Sequence, residues 1–176
     1  MRVPFLPTAL LIAVLAPLPG HAQRPAAHPH PAARPEGPKA LGHFEDWTAA
    51  THVEAGQTVC YAFTRAEPGS PGAHGDVVLT VTERPSGRDA VAISAGFTYP
   101  PNAQVTVEVD QARLEFYTAS RSAFARDGHA TVAAFQKGRQ AVARSPGPRG
   151  TPISQTFALR GFGAAYTAIN KVCPPR

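Results

Sequence analysis

The sequence predicts a mainly β domain, a small antiparallel β-sandwich or distorted barrel with one or two packed helices and one disulfide. Three observations favour this fold. From His43 onward, short segments of alternating apolar and polar residues are separated by turn residues at intervals typical of sandwiches and barrels. Two later segments change to a helical period. The chain has two cysteines, Cys60 and Cys173, and its N-terminus indicates export to a compartment where disulfides form.

The first 22 residues are typical of a cleavable signal peptide. Arg2 precedes an apolar run over residues 3–16, and Gly20 and Ala22 supply the small residues expected before a cleavage site. Prolines interrupt a run already shorter than the roughly 20 apolar residues of a spanning helix, and no later segment is apolar enough to span. We therefore expect an exported protein without a transmembrane segment after cleavage, located in the periplasm, at the cell surface or in the medium.

Residues 23–42 contain five prolines and almost no side chain that could be buried. Such a composition cannot offset the entropy lost on folding, and it predicts a disordered, polyproline-like spacer. The segment includes His28 and His30, which raise the alternative of a metal carrier. Selective metal binding needs three or four preorganised ligands, so a solvated tail is the favoured interpretation and no metal site is assigned. The folded domain then spans residues 43–176.

The β-type segments follow one another along this domain. They are residues 44–50, 58–64, 76–83, 91–97, 105–109, 112–117, 140–144 and 153–159. The fifth and sixth segments predict a hairpin with a two-residue turn at Asp110-Gln111. In that register Val107 faces Leu114, and Glu108 pairs with Arg113 on the solvent side.

Two helices are predicted in the C-terminal half. The first covers residues 127–137 and ends at Gly138, a residue type common at helix C-termini. The second covers residues 162–172 and is ended by the Cys173-Pro174 sequence. Its predicted buried stripe consists of Ala165, Ile169 and Val172.

Cys60 and Cys173 are expected to form a disulfide, because an even pair in an exported chain is usually oxidised. A redox-active pair is usually spaced Cys-x-x-Cys, and a metal site would need further ligands. The bond would tie the end of the chain to the second predicted strand. We interpret the neighbouring aromatic residues Trp47, Tyr61 and Phe63 as core and disulfide packing rather than a ligand cage.

The charge of the chain does not indicate nucleic-acid binding. The formal net charge is +5, but from His43 onward there are 13 basic and 11 acidic residues, and no block of like charge occurs. Five basic residues of the C-terminal half could form an anion-facing patch, although solvated loop charges explain them equally well. They are Lys137, Arg139, Arg144, Arg149 and Arg160.

No catalytic motif is present, and no cofactor is predicted. The sequence lacks a Gly-x-Ser-x-Gly elbow, a Ser-x-x-Lys pair, a His-Glu-x-x-His motif and a phosphate loop. Asp46, Glu83 and Asp127 have the neighbours of turns and strand edges, so nothing marks a pair for general acid and base chemistry. We expect a protein that is not an enzyme.

Several short motifs lie in order along roughly residues 44–174. They are Trp47 ahead of Val59-Cys60-Tyr61, the strand 105–109 running into Asp110, Lys137-Gly138, Arg149-Gly150-Thr151, residues 156–162, Ala164-Ala165 and Cys173-Pro174. Together these motifs resemble the invasion-associated locus B family of exported bacterial proteins. The chain departs from the family pattern at Ala158, where serine is usual, and at Gln111, where glycine is usual.

The resemblance implies an envelope or extracellular protein whose namesake is linked to entry into host cells, and it brings no catalytic residues. The expected function is a non-enzymatic interaction with an envelope or host-surface protein or polysaccharide, contributing to adhesion or invasion and so to virulence. Two alternatives stay open: a periplasmic accessory or inhibitor of an envelope enzyme, and a small-ligand or metal carrier.

Overall fold

Ten antiparallel strands form one sheet in the computed structural model, which describes residues 37–68 and 77–175. The strands are β1 (Lys39–Phe44), β2 (Trp47–Glu54), β3 (Gln57–Arg65), β4 (Val78–Arg84), β5 (Gly87–Ser94), β6 (Gln104–Val109), β7 (Ala112–Ala119), β8 (Ser122–Ala125), β9 (Gln140–Pro146) and β10 (Pro152–Ala158). The helices are α1 (Gly128–Lys137) and α2 (Phe162–Val172). The predicted mainly β fold with packed helices is confirmed.

The sheet runs in the order β1-β2-β3-β4-β5-β8-β7-β6-β9-β10 and curls without closing. No ladder joins the edge strands β1 and β10 within the described ranges, but residues beside β3 meet β10. The Glu67 amide donates to the Thr156 carbonyl at 2.8 Å, and the Trp47 indole Nε1 donates to the Ala158 carbonyl at 3.0 Å. These contacts bring the two ends of the sheet together, as in a distorted barrel.

The predicted β6–β7 hairpin is confirmed in its register. Val107 pairs with Leu114, and Glu108 pairs with Arg113, whose guanidinium lies 3.1 Å from the Glu108 carboxylate. Asp110 takes the positive φ of 51° that the tight turn requires, a conformation that aspartate tolerates better than most residues.

The first strands differ from the prediction. Lys39 to Gly42, which were expected in the spacer, form most of β1. This edge strand is stabilised by its pairing with β2, which cannot be inferred from the composition of the segment. The segment expected as one strand over residues 44–50 is divided by a turn at Glu45 and Asp46, where Glu45 has a φ of 50°. The short strand β8 was not predicted.

The two helices lie where they were expected. Asp127 caps α1 by accepting a hydrogen bond from the Ala130 amide at 2.9 Å, and α2 begins at Phe162. Phe162, Ala165 and Ile169 form the buried face of α2. Val172 was wrongly placed in that stripe: it is 47% exposed, because it lines an open cleft beside the turn between β4 and β5.

Phe162 sits at the centre of the core. Its ring centroid is 4.8 Å from that of Trp47 and 5.6 Å from that of Phe135, so it joins β2 and both helices. Gly161 starts α2 with a φ of 84°, and a Cβ there would lie 2.0 Å from the Phe44 carbonyl oxygen. Only glycine combines this conformation with so close an approach.

The predicted signal peptide and residues 23–36 of the predicted spacer lie outside the described residues. Among the residues that are described, no helix is long and apolar enough to span a membrane.

Candidate functional site

The disulfide joins the end of the chain to the middle of the sheet. Cys60 is fully buried on β3, and Cys173 directly follows α2, with their Cα atoms 6.1 Å apart. The predicted pairing of Cys60 with Cys173 is therefore present. It holds the C-terminal end of α2 against β3 across 113 residues of sequence.

A cluster of charged side chains lies next to the disulfide. Glu83 on β4 is fully buried, and its carboxylate lies 2.8 Å from Nε of Arg88 on β5. The Asp89 amide also approaches both Glu83 oxygens at 3.3 Å. Arg88 donates from Nη1 to the Cys173 carbonyl at 2.6 Å, and from Nη2 to the Asn170 side chain. One guanidinium thus connects the β4–β5 hairpin with the end of α2.

Asp89 extends the cluster to both helices. The Tyr166 hydroxyl of α2 donates to Asp89 Oδ1 at 2.5 Å, and His129 Nδ1 of α1 lies 3.1 Å from Oδ2. The backbone is equally close, since a Cβ on Gly128 would lie 1.8 Å from the Asp89 carbonyl oxygen. Asp89 itself adopts a φ of 53°. The start of β5 is therefore held between the two helices.

The cluster shifts the acidities of its members. Burial raises the pKa of Glu83 to about 7, against the lowering effects of the Asp89 amide and the Arg88 charge. Burial also acts to raise the pKa of Asp89, but hydrogen bonds from Tyr166, His129 and Glu83 outweigh it and hold that pKa below its usual value. Burial and the neighbouring Asp89 raise the pKa of Tyr166 to about 12. Glu83 consequently exchanges its proton near neutral pH.

The arrangement supports structure and proton binding more directly than covalent chemistry. It connects the β4–β5 hairpin to the end of α2 through Arg88, and to both helices through Asp89. The imidazole of His129 is 89% exposed, so the Asp89–His129 pair faces solvent rather than an enclosed substrate cavity. Glu83 lies beside a turn, as its neighbours indicated, one residue before the end of β4, but its burial was not predicted. Continuing the alternation of Leu79 and Val81 would have placed its side chain on the buried face.

The aromatic residues near Cys60 divide between the two faces of the sheet. Trp47 belongs to the core as expected. Tyr61 and Phe63 do not: the strand period of two turns Cys60, Ala62 and Thr64 inward, so these two rings lie half-buried on the outer face. The alternation of residues along β3 could have predicted this outcome, and the interpretation of Tyr61 and Phe63 as disulfide packing overlooked it.

The predicted anion-facing residues are spread along the β9–β10 hairpin. Arg139 and Arg160 flank one end, where the Leu159 amide bonds the Arg139 carbonyl, whereas Arg149 lies in the short turn at the other end. Arg144 is paired with Glu108 and Arg160 with Asp46, each at 3.1 Å. A shared patch of these residues and Lys137 stays a prediction.

A metal site is not evident in the described part of the chain. No group of three or more His, Cys, Asp or Glu side chains in residues 37–68 and 77–175 is arranged to hold a metal ion. His28 and His30 lie outside the described residues.

The protein belongs to the class of small disulfide-bonded β domains. This class is defined here by the curled antiparallel sheet, the two packed helices and the Cys60–Cys173 bond. The model of one family, described as invasion associated locus B (IalB) protein, matches residues 47–170. The chain therefore belongs to the invasion associated locus B family, as its motifs indicated.

The fold is also seen in a solved structure. It is the crystal structure of invasion associated protein B from Bartonella henselae, which is 17% identical to this chain, with a TM-score of 0.58. The match covers 74% of this chain and 95% of that one. At this level of identity the likeness concerns the fold. No curated protein matches the chain.

Proposed function

We propose that this protein is an exported, non-enzymatic interaction protein of the cell envelope or extracellular space that contributes to adhesion to, or invasion of, host cells. The observation that carries the proposal is the match of the β domain, over residues 47–170, to the invasion associated locus B family. The solved protein from Bartonella henselae is described as invasion associated protein B and has the same fold.

The disulfide supports the export part of the proposal. Cys60 and Cys173 are bonded, and such structural bonds persist in oxidising compartments and are rare in the cytosol of mesophilic cells. The predicted signal peptide over residues 1–22 would deliver the chain to such a compartment. The periplasm, the cell surface and the medium all satisfy this requirement.

The fold supports binding rather than catalysis as its mode of action. The buried charged cluster is engaged in holding β5, α1 and α2 together, and its one exposed imidazole faces solvent. Partly exposed side chains on the outer face of the sheet, among them Tyr61 and Phe63, offer a surface for recognition.

The test is chemical crosslinking of the full chain in intact cells, alone and in contact with host cells, followed by identification of the crosslinked molecules. We expect envelope components or host-surface molecules. A chain with residues 3–16 deleted is the matched control, because it lacks the apolar run of the signal and should stay in the cytosol without these products. Recovery of periplasmic enzymes alone would contradict the proposal and favour an accessory or inhibitor of an envelope enzyme.

A further inference from the structure

The outer face of β2 and β3 carries a row of three aromatic rings, which we call the aromatic strip: His52, Tyr61 and Phe63. The Tyr61 and Phe63 rings are stacked, with centroids 6.0 Å apart and planes at 27°. His52 meets Tyr61 edge-on at 5.4 Å. The rings are half-buried against one another and the strands, which fixes their positions and leaves part of each exposed.

Small polar side chains flank the two larger rings of the strip. In the sheet register Phe63 lies opposite Thr48 of β2 and Thr80 of β4, and Tyr61 lies opposite Thr82 of β4. These threonines are on the outer face as well, because the intervening β4 residues are buried. The strip therefore combines aromatic surface with hydroxyl groups on both sides of Phe63 and on the β4 side of Tyr61, whose partner on β2 is Ala50.

The strip leads into a cleft at the turn between β1 and β2. The cleft has a volume of about 690 Å³, which lies within the size range of small-ligand sites. Phe63 lines it together with polar and charged side chains from three parts of the chain. Those that carry the argument are His43, Glu45, Asp46, Thr48 and Arg160.

Charged side chains that line the cleft are largely balanced by one another. Asp46 accepts from Arg160 Nε at 3.1 Å, and His43 Nδ1 lies 2.8 Å from the Thr48 hydroxyl. The whole lining contains three acidic and two basic side chains, so its net charge is −1 when histidine is neutral. An uncharged ligand that can both donate and accept hydrogen bonds fits this lining better than an anion or a cation does.

We propose that the cleft and the aromatic strip form a binding site for an uncharged oligosaccharide. A pyranose ring has an apolar face of C–H bonds that packs on an aromatic ring, and hydroxyl groups at its rim that donate and accept hydrogen bonds. One sugar occupies the cleft beside Phe63, and the next sugars of the chain lie over Phe63 and Tyr61 toward His52. The proposal rests on the proposed function, since it names the class of partner that an exported interaction protein would recognise.

The same geometry disfavours a peptide ligand. β3 is paired on both sides, by β2 and β4, so an extended peptide finds no free strand edge at the strip to which it could add. Recognition of a helical peptide would require a continuous apolar groove, whereas threonines interrupt the apolar surface here.

The experiment titrates the purified full-length exported protein with N,N′,N″-triacetylchitotriose and with cellotriose, two uncharged trisaccharides, and measures binding by calorimetry and protein NMR. We expect at least one of them to bind, with an affinity that changes little between about 0.05 and about 0.5 M NaCl because the ligand is uncharged. Phe63→Ala and Tyr61→Ala each remove one stacking surface and should weaken binding by about tenfold.

Tyr117→Ala is the matched control. Tyr117 is also an outer-face aromatic residue, 46% exposed and stacked on Phe124, but β4, β5 and β8 separate its strand from β3. This variant should bind like the unaltered protein. Circular dichroism of all three variants establishes that each is folded before the affinities are compared.

Two results would overturn the inference: neither trisaccharide binds the folded protein, or Phe63→Ala binds as tightly as Tyr117→Ala. A photo-crosslinking amino acid placed at position 63 in intact cells separates this failure from failure of the proposed function. Capture of an envelope or host-surface protein there, without saccharide binding, would contradict the oligosaccharide site and leave the interaction function standing.

Discussion

The guanidinium of Arg88 lies 2.8 Å from the carboxylate of Glu83, a side chain with no exposure to solvent. The same guanidinium bonds the carbonyl of the disulfide residue Cys173 at 2.6 Å. The ion pair and the covalent bond therefore secure the end of α2 at neighbouring points. Substitutions of Arg88 and of Cys173 measure separately what the ion pair and the disulfide contribute to the free energy of unfolding.

Arg88→Ala should lower the free energy of unfolding by about 3 kcal/mol at about pH 8. The buried Glu83 carboxyl loses its charged partner and must take up a proton to stay buried, and the hydrogen bond from the guanidinium to the end of α2 is lost as well. Denaturation by urea measures the change. Arg84→Ala is the control, since Arg84 pairs with Glu54 at the exposed surface and should contribute no more than about 1 kcal/mol. Equal effects of the two substitutions would contradict the importance assigned to the buried pair.

The stability of the fold should depend on the protonation of Glu83. Its pKa rises from 4.5 to about 7 on folding, so the folded state binds the proton more tightly than the unfolded state. The resulting stabilisation is complete below about pH 4.5 and is lost as the pH rises through about 7, a change of at most about 3 kcal/mol. Asp89, whose folded pKa is lowered, has the opposite effect and only in more acidic solution.

Unfolding free energies measured at about pH 5 and about pH 7.5 test this dependence. Glu83→Gln should reduce the difference between the two values, whereas Glu54→Gln, which removes an exposed carboxylate, should leave it unchanged. A Glu83→Gln protein with the same pH profile as the unaltered chain would refute the assignment.

Cys173→Ser should lower the free energy of unfolding by roughly 2 to 5 kcal/mol, because the unfolded chain is no longer constrained by the bond. Cys60→Ser should have a similar effect, and the double variant should cost little more than either single one. Thiol titration of the unaltered protein, denatured without reductant, should find no free thiol. Two titratable thiols would show that the bond does not form.

Gly161→Ala should destabilise the fold by about 3 kcal/mol, because a side chain is strained at a φ of 84° and collides with the Phe44 carbonyl. Gly163→Ala, two residues further along, meets no atom within 4 Å and should leave stability unchanged or raise it by up to about 1 kcal/mol. Thermal unfolding of both variants shows whether the loss of stability comes from the strained conformation at position 161 or from any replacement of glycine by alanine in this region. Similar melting temperatures would count against the strained turn.

Features that depend on local pattern were predictable from the sequence. The β6–β7 register followed from alternating residues on either side of a two-residue turn, and Glu108 duly pairs with Arg113. The bounds of α2 followed from its helical period and the Cys173-Pro174 end. The disulfide followed from the expected compartment, because a bond between two cysteines needs only an oxidising environment and a fold that brings them together.

Features that depend on distant partners could not be predicted from local pattern. β1 exists because β2 and α2 provide its contacts, which no pattern in residues 39–42 reveals. The pairing of Glu83 with Arg88, and of Asp89 with His129 and Tyr166, arises where a hairpin meets two helices. The cleft beside Phe63 requires Arg160 to approach Asp46 across the curled sheet. Local pattern governs which face of a strand a side chain occupies. The curl of the sheet governs which strand ends come together. Both the charged cluster and the cleft beside Phe63 lie where separate elements come together, so neither could be predicted from local pattern.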